Sequence, residues 1–236
     1  MMRVNHTVLA IFISLLSLSL TAEDTPRIIE YDFRTSPNGF SHGFADYTPH
    51  NMDSYQMNFA HHALPSEIGP GRGLLIEGHN HSDDLFMYIK REISGLEPAQ
   101  HYTAKVVVEF ASRYPEESMG IGGAPGASVY LKSGLVPDEP LSNIEDLSTG
   151  ELIMRMNIDI GSQSIAGAHA QLLGNIAIEG HDDSQYRMLT RTNEAQELSF
   201  TSTPNGTAWF FVGTDSGYEG ITSIYYTRVV LEIAKR

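Results

Sequence analysis

Leu152, Met154, Met156, Ile158 and Ile160 point one way along a single stretch, with Arg155, Asn157 and Asp159 between them. Side chains that alternate at period two belong to a strand with one buried and one wet face, because a helix would scatter them around its axis. The same signature recurs along the chain and predicts strands at 27–34, 54–64, 72–79, 84–93, 101–112, 128–135, 152–160, 171–179, 186–191, 197–203, 207–213 and 222–235. Clusters of Gly, Pro, Asn and Asp separate the runs, and almost nothing sustains a helical period over a dozen residues. Short strands at this spacing predict an all-β fold, an antiparallel β-sandwich in one domain.

The domain begins after residue 22. Met1-Met2-Arg3 precedes an apolar run from Val8 to Leu20 and then small residues at a cleavage-like site, so 1–22 reads as a secretory signal and 23–236 as the domain. An apolar run of thirteen residues rises only about 20 Å as a helix, short of a bilayer core, so no membrane span is expected. The expected location is secreted or periplasmic. There is no cysteine, so no disulfide can staple the fold and the core must hold it alone. The net charge of −14 argues against nucleic acid as a partner.

Most of the chemistry lies in loops. His79-x-His81-x-Asp83-Asp84 places two imidazoles and two carboxylates in six residues. Calcium takes six to eight hard oxygens at about 2.3–2.6 Å, and Asp83, Asp84 and Asp215 could supply some of them. Zinc is the second choice, since it prefers imidazole and the stretch lacks the last histidine of the zinc loop of metallo-β-lactamase-like hydrolases. The bland reading is that these aspartates accept bonds from loop amides. If consecutive strands alternate in direction, the loops at 35–53, 79–83, 113–127, 161–170 and 214–221, with the turn after Arg191, share one end. That end is the expected site. Its candidate ligand-binding residues are His79, His81, Asp159, Gln163, His169 and Glu219. Gly120 to Gly126 lacks the Lys-Ser/Thr ending of a phosphate loop, and Trp209, the only tryptophan, reads as core.

Ile93-Ser94-Gly95-Leu96-Glu97-Pro98 with Tyr102 and the run 106–111 resembles the strand-turn-strand core of carbohydrate-binding-module jelly rolls. Trp209 to Gly213 before a long last strand resembles their closing hairpin. The stretches at 81–87, 120–126 and 213–220 are similar to a group of bacterial secreted proteins with no activity attached. The resemblance implies a jelly-roll-like sandwich and, as such modules often carry one, a structural calcium ion.

The expectation is therefore a secreted, non-catalytic module that binds a glycan or other small polar ligand. The alternatives are a carbohydrate hydrolase or lyase acting through loop carboxylates among Glu116, Glu117, Asp159, Asp215 and Glu219, or a zinc hydrolase built on His79, His81 and Asp83.

Overall fold

The computed structural model describes residues 25–81, 84–181 and 183–236. The expected signal segment and Asp83 lie outside the described residues. β1 (Arg27–Asp32) and β2 (Ser41–Ala45) precede a short 3-10 helix (Pro49–Tyr55). β3 (Asn58–Ala63), β4 (Arg72–His79), β5 (Leu85–Ile93) and β6 (His101–Ser112) follow, then the two-residue β7 (Tyr114–Pro115). The middle of the chain holds β8 (Val129–Val136), β9 (Ser142–Asp146), β10 (Leu152–Met156), β11 (Gly161–Ser162) and β12 (Ile165–Ala166). The last third holds β13 (Gln171–Asn175), β14 (Ala177–Ile178), β15 (Arg187–Thr192), β16 (Leu198–Thr201), β17 (Ala208–Ser216) and β18 (Ile221–Lys235).

These strands build an antiparallel sandwich. One sheet runs β15-β6-β18-β4-β3, with β1 also on β18 and β16 also on β6, and the other runs β13-β8-β17-β5-β2. From β4 to β6 and from β16 to β18 the chain switches sheet at each strand, the habit of a jelly roll. Alternation does what it implied: Leu74 and Ile76 from one sheet meet Leu85, Met87, Ile89, Phe210 and Val212 from the other in the main core. Among the described residues no helix is long and apolar enough to cross a membrane.

The outer face of the five-stranded sheet is not open to solvent. Residues 137–170 cross it and close a second apolar cluster, in which Phe86, Tyr88, Val136 and Phe211 of the sheet pack with Ile160 and Ala170, flanked by Met156, Ile158 and Trp209. Three glycines on this face make room for the packing. A Cβ on Gly43 would strike the Tyr88 ring, one on Gly213 the Phe86 ring, and one on Gly134 would come to 2.1 Å from the carbonyl oxygen of His169. Polar anchors hold the covering segment: Lys90 Nζ donates to Pro140 O at 2.6 Å and pairs with Glu139 at 2.8 Å. Tyr47 and Met154 exchange a bridge at the same face.

Several expectations need correction. The stretch at 152–160 is not a strand of either main sheet: β10 stops at Met156, pairs with β9 in a two-stranded ribbon apart from the single bridge to Tyr47, and stays half-exposed. Its alternation is real but serves the covering segment, with Ile160 buried and Asn157 exposed. The predicted strand at 54–64 begins in the 3-10 helix and pairs only from Asn58. The predicted strand at 171–179 is interrupted by a register shift between Leu172 and Gly174, and its end pairs in parallel with β7. β2 and β9 were not anticipated. The turn after Arg191 does not join the loop end, because β15 and β16 run in the same direction along β6 and Asn193 bonds to Val106 and Ala104 in its middle.

The covering segment makes a direct prediction. Gly134→Ala forces a methyl against the His169 carbonyl, an overpacking worth ~1–3 kcal/mol, and thermal unfolding should shift down by several degrees. An unchanged Tm would mean that the segment does not press on the sheet.

Candidate functional site

The loop after β4 and the loop 217–220 do lie side by side, and an amide joins them. Asn80 is 1% exposed. Its backbone N–H donates to Gly220 O at 2.9 Å, and its side-chain Nδ2 donates to Ser216 O at 2.7 Å and Tyr218 O at 2.9 Å. Its Oδ1 accepts from the Leu85 amide. The glycine-rich loop folds onto the same place: Cβ atoms on Gly120 and Gly220 would each strike the Tyr218 ring, and the Glu219 amide donates to Ile121 O. Those glycines therefore permit close backbone approach to the protein's own Tyr218.

Beneath these loops is a buried charge cluster. Lys132 Nζ pairs with Asp215 Oδ2 at 2.8 Å, the two side chains being 0% and 2% exposed, and donates to Ile160 O at 3.0 Å. The Gln163 amide donates to the same Asp215 oxygen at 2.8 Å. Arg155 Nη1 donates to Asp46 Oδ1 at 2.7 Å and stands 3.8 Å from Asp84 Oδ2. Asp84 and Asp215 are within hydrogen-bonding reach of each other, and each has a buried Oδ1 that meets no amide or hydroxyl donor among the described residues. Two carboxyl groups so placed are satisfied when Asp84 keeps a proton and donates it to Asp215. Burial, reinforced by the charges of Asp215 and Asp46, pushes Asp84 up to about 7. Burial also raises Asp46 to about 6 against the pull of Arg155, and raises Asp215 against that of Lys132.

Of the expected metal ligands, Asp84 and Asp215 are thus brought together, while Asp83 lies outside the described residues. Among the described residues no set of three or more His, Asp or Glu side chains is gathered for a metal ion. The two orphan oxygens would be a small part of the six to eight that calcium takes.

Of the expected ligand-binding residues, Asp159, Gln163 and His169 all sit in one hairpin; Asp159 and His169 bond within it, while the Gln163 amide reaches Asp215 and its side chain lies against Gly217. Asp159 Oδ1 and Oδ2 accept from the amides of Gly161 and Ala168, each at 2.9 Å, which holds its carboxyl below the usual range. His169 Nδ1 accepts from the Asp159 amide at 3.0 Å. Glu219 is exposed at a loop tip. The His79 and His81 rings lie 3.9 Å apart, and His81 Nε2 bonds Ser54 O at 3.0 Å. With Asp215 committed to Lys132 and Asp159 to two amides, two of the five carboxylates considered for glycoside chemistry are already engaged.

A second group was not singled out from the sequence. On the outer face of the seven-stranded sheet, Tyr225 meets Tyr186 edge to face at 5.5 Å and His62 at 6.3 Å. The Arg113 guanidinium lies 5.5 Å from the Tyr186 ring centre, and Tyr186 Oη reaches Ser223 Oγ at 3.4 Å. Ser223 pairs across the ladder with Glu77, two residues before His79 on the same face of β4. Tyr225 and Tyr186 are half-buried, and His62 and Arg113 are exposed. The strip runs from mid-sheet toward the loop end. Its signal was faint: Tyr225 occupies an outward position that a core-seeking reading of the last strand passes over.

No protein-family model and no curated protein matches the sequence. Among solved structures, the chain is similar to the enzymatically active domain of tailspike protein 4 of bacteriophage CBA120, at 8% identity and a TM-score of 0.35, covering 84% of this chain and 19% of that one. The chain thus spans about a fifth of that protein's length. It is similar to the mannan-recognising carbohydrate-binding module TmCBM27, at 12% identity and a TM-score of 0.35, covering 89% and 99%. It is also similar to the K3 cleaved adhesin domain of Lys-gingipain from Porphyromonas gingivalis, at 8% identity and a TM-score of 0.36, covering 86% and 96%.

The charge cluster fixes a pH dependence. Asp84 and Asp46 bind protons more tightly in the folded state than in the unfolded chain, whose aspartates titrate near pH 3.9. Their stabilisation is present at pH 4 and is lost as pH rises toward 7. Asp84→Asn, whose amide donates to Asp215 without titrating, should flatten the fall of Tm between pH 4 and 7. Parallel curves for the two proteins would show that no proton is held between Asp84 and Asp215.

Proposed function

We propose that this protein is an exported, non-catalytic glycan-binding module whose ligand lies along the outer face of the seven-stranded sheet, over Tyr225 and Tyr186. The observation that carries the reading is the edge-to-face tyrosine pair flanked by Arg113, Glu77 and His62 on the sheet face that residues 137–170 do not cover. A pyranose ring has an apolar C–H face that packs on an aromatic ring and a rim of hydroxyls that needs donors and acceptors, and the strip offers both. The opposite face cannot serve while residues 137–170 fill it. His79 and His81 would extend the strip at the loop end; the other expected ligand residues would not touch ligand there.

Titration calorimetry with cellohexaose, mannohexaose and xylohexaose tests this placement. Tyr225→Ala should weaken binding of the accepted sugar at least about tenfold, equal to ~1.4 kcal/mol, with Tm unchanged within a few degrees. Equal affinity for wild type and Tyr225→Ala would remove the strip from the binding site.

The orphan oxygens of Asp84 and Asp215 favour a second, subsidiary reading, a structural calcium ion seated between them. Calcium bound only to the folded state raises Tm by mass action. An increase in Tm with millimolar calcium, absent in Asp84→Asn, supports the ion; a Tm insensitive to both calcium and chelator leaves the shared proton as the sole tie.

A further inference from the structure

We infer a second carbohydrate site, distinct from the tyrosine strip, in the groove between the covering hairpin and β16; the ligand class rests on the proposed function. The groove encloses about 540 Å³, within the range of small-ligand pockets, and is bounded by the end of β8 at Leu135 to Pro137, the hairpin exit at 166–171, and β16. Its floor is apolar, with Leu135, Ala170 and Phe200 buried. Its rim is polar and uncharged except at one point. His169 is the best-placed donor: Nδ1 already accepts the Asp159 amide, so the ring proton is on Nε2, which has no partner among the described residues. Gln196 is exposed along the opposite wall, beside Ser199 and Thr201, whose hydroxyls are bonded to the His101 ring at 3.0 and 3.2 Å. Glu197, the one ionic side chain in the lining, faces Lys105 at 3.9 Å.

Charge decides the ligand class. With no cation in the lining, Glu197 sharing Lys105 with Glu232, and a protein of net charge −14, an anion gains nothing there. An apolar floor with neutral donors and acceptors above it suits a ring that is apolar on one side and hydroxylated at its edge, an uncharged sugar. The two sites cannot share one sugar ring. Tyr225 pairs with Ala111 and β16 begins on Ala104, seven residues away along β6, or about 23 Å. One domain would then hold two glycan segments and could bridge two chains.

Amide chemical shifts and calorimetry with the same three hexaoses, on the full domain, test the second site. The expected result is two sets of shifts, around Tyr225 and around His169, with a stoichiometry of two that falls to one in Tyr225→Ala and, independently, in Gln196→Ala. Gln196 bonds through its backbone N–H, to Asn193 O, which alanine keeps, and His169→Ala, checked by its Tm, is the second variant. A stoichiometry of one, with shifts confined to the strip and no response to Gln196→Ala or His169→Ala, overturns the groove and leaves the strip standing. Shifts confined to the groove support it and overturn the strip, and no binding of any hexaose overturns both.

Discussion

The ion pair between Lys132 and Asp215 is the interaction on which the arrangement of this molecule turns. Both groups point outward from the five-stranded sheet, where an open sandwich would leave them wet, yet both are buried. Removing two charges from water costs several kcal/mol each, and only close pairing with further hydrogen bonds offsets it. The segment 137–170 supplies those bonds, with the Ile160 carbonyl to the ammonium and the Gln163 amide to the carboxylate. The pair and its cover therefore require one another. Without the cover the pair would be exposed and worth little; without the pair the cover would rest on apolar contact alone.

That mutual dependence closes one sheet face to any ligand while the cover is in place. The covered face carries Phe86, Tyr88, Phe211 and Trp209, an aromatic set that would be an inviting platform if open, and the protein's own chain uses it as a second core. The tyrosine strip on the other sheet and the groove left where the covering hairpin ends beside β16 stay accessible. The loop end lies over the charge cluster: Asn80 clamps two loops, and the Asp84 carboxyl is within hydrogen-bonding reach of Asp215 beneath them.

Much of the sandwich was legible in the sequence because period two leaves a clean trace wherever one face is core. β4 and β6 begin and end where the alternation does, and the turn at Gly95 takes the positive φ that a glycine there permits. Alternation does not say which core a strand serves, so residues 152–160 were assigned to the main sandwich instead of to the cover. β2 and β9 were missed because an exposed or glycine-containing strand lacks the apolar alternation that marks the others. Parity of loops failed after Arg191, where two strands run along one neighbour without reversing. For the site, His79, His81, Asp84 and Asp215 were visible as reactive types in loops or strand ends, and the adjacency of their loops was foreseen. Asn80, Asp46 and Lys132 were not. Lys132 did leave a sign, a lone lysine inside the apolar run 129–136, the place where a buried cation demands a buried carboxylate.

The central claim is that the segment 137–170 is part of the folded core and not a lid. Native-state amide hydrogen exchange measures it directly, because the Gln163 and Met154 amides bond across the covered face while the Phe211 amide lies within the sheet beneath. Protection of Gln163 and Met154 close to that of Phe211, all lost together near the global unfolding limit, is the expected result. Exchange of Gln163 and Met154 many orders of magnitude faster than that of Phe211 would show a cover that opens on its own, and would return the aromatic face beneath it to the list of binding surfaces.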